Sequence, residues 1–273
     1  MVELSTILLT TFSIAALFAV FNNSFHNQKP KPTKPTTSMT TTIHNRLPPQ
    51  GDCGIQTFKP NIDSTLLAKI SPKIINGDPT VDNSWPWMVS IRVIQNKDGN
   101  GLRFSGHYCS GSLVYRNYIL TTAHCFNKKN FSDSDLVVIV GKSALSDPIS
   151  PMDVYSVNKL IIHPHYNSST VQNDIAFIKL DNPVALSDRV ALICLPTLDL
   201  TAYPYNKEIV GVGWGRTTIG PNDPTADSNE LKQTILKCIN GDPVCDSHPR
   251  YDASLMYCVL GTRNGSNFCW GKK

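Results

Sequence analysis

The feature that most constrains the fold is a series of short apolar segments that begins after residue 74. They are rich in β-branched and aromatic residues, and Gly, Pro, Asn or Asp separates them: WPWMVSIRVI, SGSLVYRNYILTTA, LVVIVG, VYSVNKLIIHP, DIAFIKL and EIVGVGWG. Their length and composition predict β-strands joined by turns. The later stretch SNELKQTILKCI, which Ser228 or Asn229 could cap, fits a short helix or another strand. We therefore expect an all-β fold, either a sandwich or a barrel.

The cysteines and the N-terminus indicate an extracellular protein. An even number of cysteines combined with an apolar N-terminal run is typical of disulfide bonds formed in an oxidising compartment. Residues 1–21 are interpreted as a signal peptide. The run is long, and Glu3 with no Lys or Arg precedes it, so a retained membrane anchor over residues 4–21 stays the alternative. In either case the rest of the chain is expected outside the cell, and with a cleaved signal it is secreted.

Composition favours a linker after this leader. Residues 22–52 include the Pro- and Thr-rich stretch 29–50, which is too poor in apolar residues to form a core and predicts an extended linker, either O-glycosylated or a plain spacer. Asn130, Asn167 and Asn264 begin N-x-Ser sequons, which are permitted in a secreted glycoprotein. The net charge of +4 is spread without a basic run, so no nucleic-acid partner is expected.

Two residues at strand ends are candidates for catalysis. In LTTAHC, His124 follows an apolar strand and precedes Cys125, and Cys109 lies sixteen residues before Cys125. A disulfide between the two cysteines would fix the backbone of the histidine, as a general base requires. In NDIAFIKL, Asp174 precedes a strand and would by itself be interpreted as a turn residue. Together with His124, its carboxylate could hold one imidazole nitrogen protonated and leave the other free to accept a proton.

A basic residue, Lys73, precedes Ile74 in SPKIINGDP. This segment is either a loop before the first strand or a proteolytic activation site. In the second case, cleavage after Lys73 would create a new amino terminus at Ile74, which could be buried against a carboxylate.

The chain resembles the chymotrypsin/trypsin family of serine proteases over residues 53–273. The motifs KIINGDP, WPWMVSI, CSGSLV, LTTAHC, NDIAFIKL, ICLP and GVGWG occur in the order and spacing of that family. The resemblance implies two antiparallel six-stranded β-barrels with the active site between them, formed by a protease domain at 74–273 that follows an activation propeptide at 53–73. It also implies a secreted endopeptidase zymogen that acts on proteins or peptides and needs an activating protease. We expect a monomer that uses no cofactor.

The same resemblance assigns residue roles and cysteine pairs. It implies that His124 is the general base and that Asp174 orients it. It implies three disulfide bonds, the last of which would tether the propeptide after cleavage: Cys109–Cys125, Cys245–Cys258 and Cys53–Cys194. For Cys238 and Cys269, both a bridge and two free thiols stay open.

The C-terminal residues depart from the family pattern. The family has Gly-Asp-Ser-Gly-Gly-Pro where this chain has Gly271 followed by Lys272 and Lys273. Gly271 matches an oxyanion-hole donor, whereas Lys272 and Lys273 occupy the positions of the Asp and of the nucleophilic Ser. We therefore expect a second barrel that is incomplete at its C-terminus and a chain that is inactive as it stands. The alternative is a non-catalytic secreted homologue that acts as a binding or decoy module.

Two further positions concern specificity and metal binding. Asn267 aligns with the base of the specificity pocket, which argues against a trypsin-like preference for Lys or Arg. Lys142 replaces the acid of the calcium loop of some relatives, and the cysteines lack ligand spacing, so no bound metal is expected.

Overall fold

The computed structural model describes residues 8–10, 53–62, 77–96, 103–127, 132–195, 208–215 and 228–261 of the chain, with only the backbone at 8–10 and at residue 96. The strands are β1 Leu8–Thr10, β2 Asp78–Pro79, β3 Met88–Asn96, β4 Arg103–Phe104, β5 Cys109–Tyr115, β6 Tyr118–Thr121, β7 Leu136–Val140, β8 Val154–Ile162, β9 Ala176–Leu180, β10 Glu208–Gly213, β11 Lys232–Cys238 and β12 Tyr257–Gly261. Short 3-10 helices lie at Ala123–Phe126, Asp133–Asp135 and Pro151–Asp153, and one α-helical turn, α1, at Pro243–Asp246. The all-β prediction is confirmed.

The first sheet closes on itself as a six-stranded antiparallel barrel. Its strands follow the order β3-β5-β6-β9-β8-β7, and β7 pairs again with β3, while β4 extends β3 outside the ring. Ile91 shows the closure, because it pairs with Cys109 of β5 on one side and with Val138 of β7 on the other. The inward-pointing side chains are inaccessible to solvent, among them Ile91, Leu113, Ile119, Val138 and Ile178. Their burial supplies the main stabilisation of this barrel.

A glycine allows two strands of this barrel to approach closely. A Cβ atom on Gly111 of β5 would lie 2.5 Å from Cγ2 of Ile119 and 3.0 Å from the carbonyl oxygen of Leu120. The first distance is shorter than real Cβ contacts and the second is tighter than ordinary van der Waals packing, so a side chain at this position of SGSLV would force its neighbours to shift.

The second sheet is built on β11. Its strands follow the order β10-β11-β12-β1, and β2 pairs with β11 through Asp78 opposite Gln233. Across the described ranges this five-stranded sheet does not close, and the C-terminal residues on which the predicted incompleteness of the second barrel depends lie outside these ranges. The stretch SNELKQTILKCI forms β11 rather than a helix.

Lys142, the residue from which the sequence predicts no metal site, belongs to a buried ion pair. Its Nζ lies 2.7 Å from Oδ2 of Asp153 and donates a hydrogen bond to the carbonyl oxygen of Pro148. Nη2 of Arg189 lies 3.6 Å from the other carboxylate oxygen. Burial opposes the ionisation of Asp153, but hydrogen bonds from Lys142 and from the backbone of Ser150 outweigh it and lower the pKa of that carboxyl. The ion pair of Lys142 and Asp153 therefore anchors the segment between β7 and β8 internally.

The structure contains the three expected disulfide bonds: Cys53–Cys194, Cys109–Cys125 and Cys245–Cys258. Cys238 carries a buried free thiol that lies 3.3 Å from Oδ1 of Asn240, and burial raises its pKa. Cys269 lies outside the described residues, as does the predicted leader at 1–21 apart from the backbone of Leu8–Thr10. Within the part of the chain that is described, no helix is long and apolar enough to cross a membrane.

Candidate active site

His124 lies directly after β6, where the barrel strand turns into the 3-10 helix Ala123–Phe126. Its neighbours Ala123 and Cys125 are buried, while 54% of the His124 side chain is exposed. The buried neighbours and the Cys109–Cys125 disulfide fix the backbone on both sides of the histidine. The fold thus presents one imidazole to solvent from a rigid support, as general-base catalysis requires.

Asp174 holds His124 through two hydrogen bonds. Its Oδ2 lies 2.6 Å from Nδ1 of His124, and its Oδ1 accepts a hydrogen bond of 2.7 Å from the His124 backbone N–H. Only 5% of the Asp174 side chain is exposed. Because the carboxylate accepts, the proton of the neutral imidazole lies on Nδ1, and Nε2 keeps its lone pair free.

Two tyrosines, Tyr108 and Tyr166, lie near the pair of His124 and Asp174. The hydroxyl of Tyr108 donates a hydrogen bond of 2.6 Å to the carbonyl oxygen of Cys125, so it ties the residue after His124 to the start of β5. Tyr166 lies close enough to feel the carboxylate, because burial and then the charge of Asp174 raise the pKa of its phenol. Neither tyrosine was a candidate in the sequence, since isolated tyrosines give no signal of such contacts.

A second histidine, His107, forms a polar network that the sequence did not reveal. Its Nδ1 lies 2.8 Å from Oγ of Ser90, and its Nε2 lies 3.2 Å from Oγ of Ser110. Nε of Arg92 donates to the same Ser90 hydroxyl at 3.3 Å. The imidazole ring packs 5.4 Å from the ring of Trp214, measured between centroids. These residues come from separate segments of the chain, and no single motif contains His107 together with its partners.

The electrostatics of His107 exclude a second general base there. Burial, followed by the positive charge of Arg92, lowers the pKa of His107 to about 4. An imidazole with such a pKa cannot take the Ser110 proton efficiently near neutral pH. The network is therefore structural, and Ser110 is a strand residue of β5, as its sequence context indicates.

The loop that supplies Asp174 is strained and touches the second sheet. Val171 and Asn173 have φ angles of 63° and 54°, and the left-handed region is unusual for a β-branched residue. Nε2 of Gln172 donates a hydrogen bond of 3.2 Å to Oδ2 of Asp252, which lies between α1 and β12. This contact connects the Asp174 loop with the second sheet.

Several predicted site residues fall outside the described part of the chain. These are the activation residues Lys73 and Ile74, the pocket residue Asn267, the oxyanion residue Gly271, and the terminal Lys272 and Lys273. The structure therefore brings together the histidine and the carboxylate, and the other assignments stay predictions. Among the described residues, no group of three or more His, Cys, Asp or Glu could hold a metal ion.

An exposed imidazole backed by a buried carboxylate, at the end of a barrel strand, is the arrangement with which hydrolases activate a hydroxyl nucleophile. Comparison with known proteins agrees with this class. Residues 74–272 match the family described as Trypsin. Chymotrypsin-C of Mus musculus is 34% identical over 189 residues, which cover 69% of this chain and 62% of that protein. Chymotrypsin-C of Rattus norvegicus is 33% identical over 194 residues, which cover 71% and 63%.

The chain belongs to the trypsin family of serine proteases. The matched region spans just under two thirds of the length of these two relatives.

Proposed function

We propose that this protein is a secreted serine endopeptidase, made as a zymogen, that hydrolyses peptide bonds in protein or peptide substrates. The hydrogen-bonded pair of His124 and Asp174 carries this proposal. Nδ1 of His124 is held by a nearly inaccessible carboxylate, while the imidazole itself is half exposed. Family membership supports the reaction class, and the resemblance of LTTAHC and NDIAFIKL to family motifs assigns His124 and Asp174 the base and orienting roles.

In the proposed reaction, Nε2 of His124 takes the proton of an attacking hydroxyl and returns it to the leaving amine. Asp174 keeps Nδ1 protonated and stabilises the imidazolium that forms in between. In the family that the chain resembles, this hydroxyl belongs to the serine of Gly-Asp-Ser-Gly-Gly-Pro. By the same resemblance, the backbone N–H of Gly271 would help to bind the oxyanion.

We propose that the polypeptide of 273 residues does not hydrolyse peptides by itself, because Lys273 stands at the position of that serine. Loss of the nucleophile lowers kcat by about 10⁶-fold in serine proteases. Lys272 would also place a second positive charge near the proposed Ile74 ammonium, where the family has a carboxylate.

The contacts of residues 53–62 support the zymogen proposal. Cys53 is bonded to Cys194, and the Gly54 N–H donates a hydrogen bond of 2.7 Å to the carbonyl oxygen of Leu192. Near its other end, the carbonyl oxygen of Asn61 accepts a hydrogen bond of 2.7 Å from Nε2 of Gln233 in β11. A propeptide cut after Lys73 would therefore stay attached to the protease domain at 74–273. The remaining proposals are an activating protease as partner, a monomeric state, and no preference for Lys or Arg at the pocket of Asn267.

One observation favours a second candidate function. The two lysines at the Asp and Ser positions suit a non-catalytic secreted homologue that binds peptides without cleaving them. The nucleotide sequence downstream of the Lys273 codon distinguishes the candidates. A frame encoding Asp-Ser-Gly-Gly-Pro and further strands supports the peptidase, and its absence supports the binding module.

A direct test compares the 273-residue chain with a chimera in which the residues after Gly271 come from mouse chymotrypsin-C. Both are cleaved after Lys73 and treated with a fluorophosphonate, which labels activated serines. We expect labelling and peptide hydrolysis for the chimera alone, and loss of both in its His124→Ala variant. A labelled 273-residue chain would show that the nucleophile lies elsewhere. A folded chimera whose activity survives His124→Ala would refute the role of His124.

A further inference from the structure

We infer that Asn167 is an N-glycosylation site whose glycan covers the loop that supplies Asp174; the inference rests on the proposed secretion. Asn167 begins the sequon Asn-Ser-Ser, and the structure exposes Asn167, Ser168 and Ser169 to solvent. The sequons at Asn22, Asn130 and Asn264 lie outside the described residues, so Asn167 is the one whose geometry the structure gives.

The hydrogen bonds of Asn167 leave the reactive atom available. Its Oδ1 accepts hydrogen bonds from the backbone N–H groups of Ser169 at 2.9 Å and of Thr170 at 3.4 Å. Within the described ranges, Nδ2 donates no hydrogen bond, whereas the main chain of Asn167 is bonded to Gln172 and Val171. The side chain is thus held by its oxygen, with its nitrogen directed away from these contacts.

Glycosylation preserves this arrangement. A transferase of the secretory pathway joins Nδ2 to the anomeric carbon of an oligosaccharide carried on a lipid diphosphate. The C–O bond to the diphosphate breaks, and the lipid diphosphate leaves with one proton from the amide. The carbonyl oxygen of the amide is unchanged, so both hydrogen bonds that Oδ1 accepts can persist, and the fold tolerates the carbohydrate at an exposed position.

The position of Asn167 places the carbohydrate on the loop that supplies Asp174. Asn167 lies seven residues before Asp174 on the same loop between β8 and β9. Its main-chain partner Gln172 is the residue that reaches Asp252, which lies in the segment before β12. A bulky, hydrated glycan here would cover the loop near the junction of the two sheets and hinder proteins that approach it.

The site is tested by translating the full chain with microsomes in an Asn22→Gln/Asn130→Gln/Asn264→Gln background, where Asn167 heads the remaining N-x-Ser sequon. We expect one gel shift that peptide N-glycosidase F removes. It should be lost in Asn167→Gln and in Ser169→Ala but kept in the matched control Ser168→Ala, which leaves the sequon intact. A shift that survives Asn167→Gln, or no shift in a translocated chain, would overturn the inference.

Failure of secretion is kept separate from failure of this site. A parallel chain has residues 1–21 replaced by a signal sequence of established function. A shift seen only with that leader would refute the proposed native signal and still support Asn167.

The covering role of the glycan is tested by treating the secreted protein with chymotrypsin and following cleavage after Tyr166 by mass spectrometry. We expect slower cleavage in the glycosylated protein than in Asn167→Gln, and equal rates would contradict the covering role.

Discussion

The buried histidine His107 makes the stability of the first barrel depend on pH in a defined direction. Its ordinary pKa is 6.5, and in the folded protein burial and the charge of Arg92 lower the pKa to about 4. Between these values the unfolded chain binds a proton that the folded chain does not. The contribution of His107 to the stability of the folded protein is therefore complete above about pH 6.5 and is lost as the pH falls towards 4. The gap corresponds to roughly 3 kcal/mol of unfolding free energy.

The perturbation that isolates this effect is His107→Gln. The amide can still hydrogen-bond to Ser90 and Ser110, but it binds no proton. Urea unfolding of both proteins at pH 7 and pH 4.5 compares their stabilities, and the carboxylates titrate in both. We expect the wild type to lose roughly 2–3 kcal/mol more than the variant over this range.

An NMR titration of the His107 imidazole gives an independent result. The resonance should stay constant from pH 8 to pH 5 and move only near pH 4. A midpoint near 6.5, or unfolding free energies of the two proteins that fall in parallel, would refute the proposed environment of His107.

Three further predictions concern stability and activation. Lys142→Met leaves the buried Asp153 carboxylate without its lysine and should lower the unfolding free energy measured in urea by about 3–5 kcal/mol. The double variant Lys142→Met/Asp153→Leu should regain much of this stability, and additive losses would contradict the ion pair. Gly111→Ala should cost about 1–3 kcal/mol because its Cβ meets Ile119, whereas the control Gly106→Ala, with nothing within 4 Å, should be neutral in thermal unfolding. After cleavage at the proposed activation site, the wild type should give one band on a non-reducing gel and two on a reducing gel. A Cys53→Ser variant should give two on both, and a single non-reduced band from that variant would show another covalent link.

The strands and the candidate pair could be predicted from the sequence because each depends on local patterns. Short β-branched runs predict the strands. His124 follows one such run, and Asp174 precedes another. The ambiguity of SNELKQTILKCI has a physical cause. Strand β11 lies between β10 and β12, and five of its seven residues are buried, so the alternation of a strand is hidden.

The contacts between distant residues could not be predicted. Gln172 and Asp252 are 80 positions apart, and His107, in the loop between β4 and β5, contacts Ser90 of β3. Such pairs arise from strand register and loop conformation, which single residues do not reveal. The sequence likewise gives no sign that Lys142 is buried against Asp153, eleven residues further on.

The central claim is that Asp174 holds His124 with its Nδ1 protonated and its Nε2 free to accept a proton. The most direct measurement is ¹⁵N NMR of the His124 imidazole at neutral pH in the 273-residue chain, which needs no nucleophile. We predict a proton on Nδ1 that is hydrogen-bonded and is lost or shifted to Nε2 in Asp174→Asn. A His124 ring that carries its proton on Nε2 in the wild type, or that does not respond to Asp174→Asn, would contradict the account.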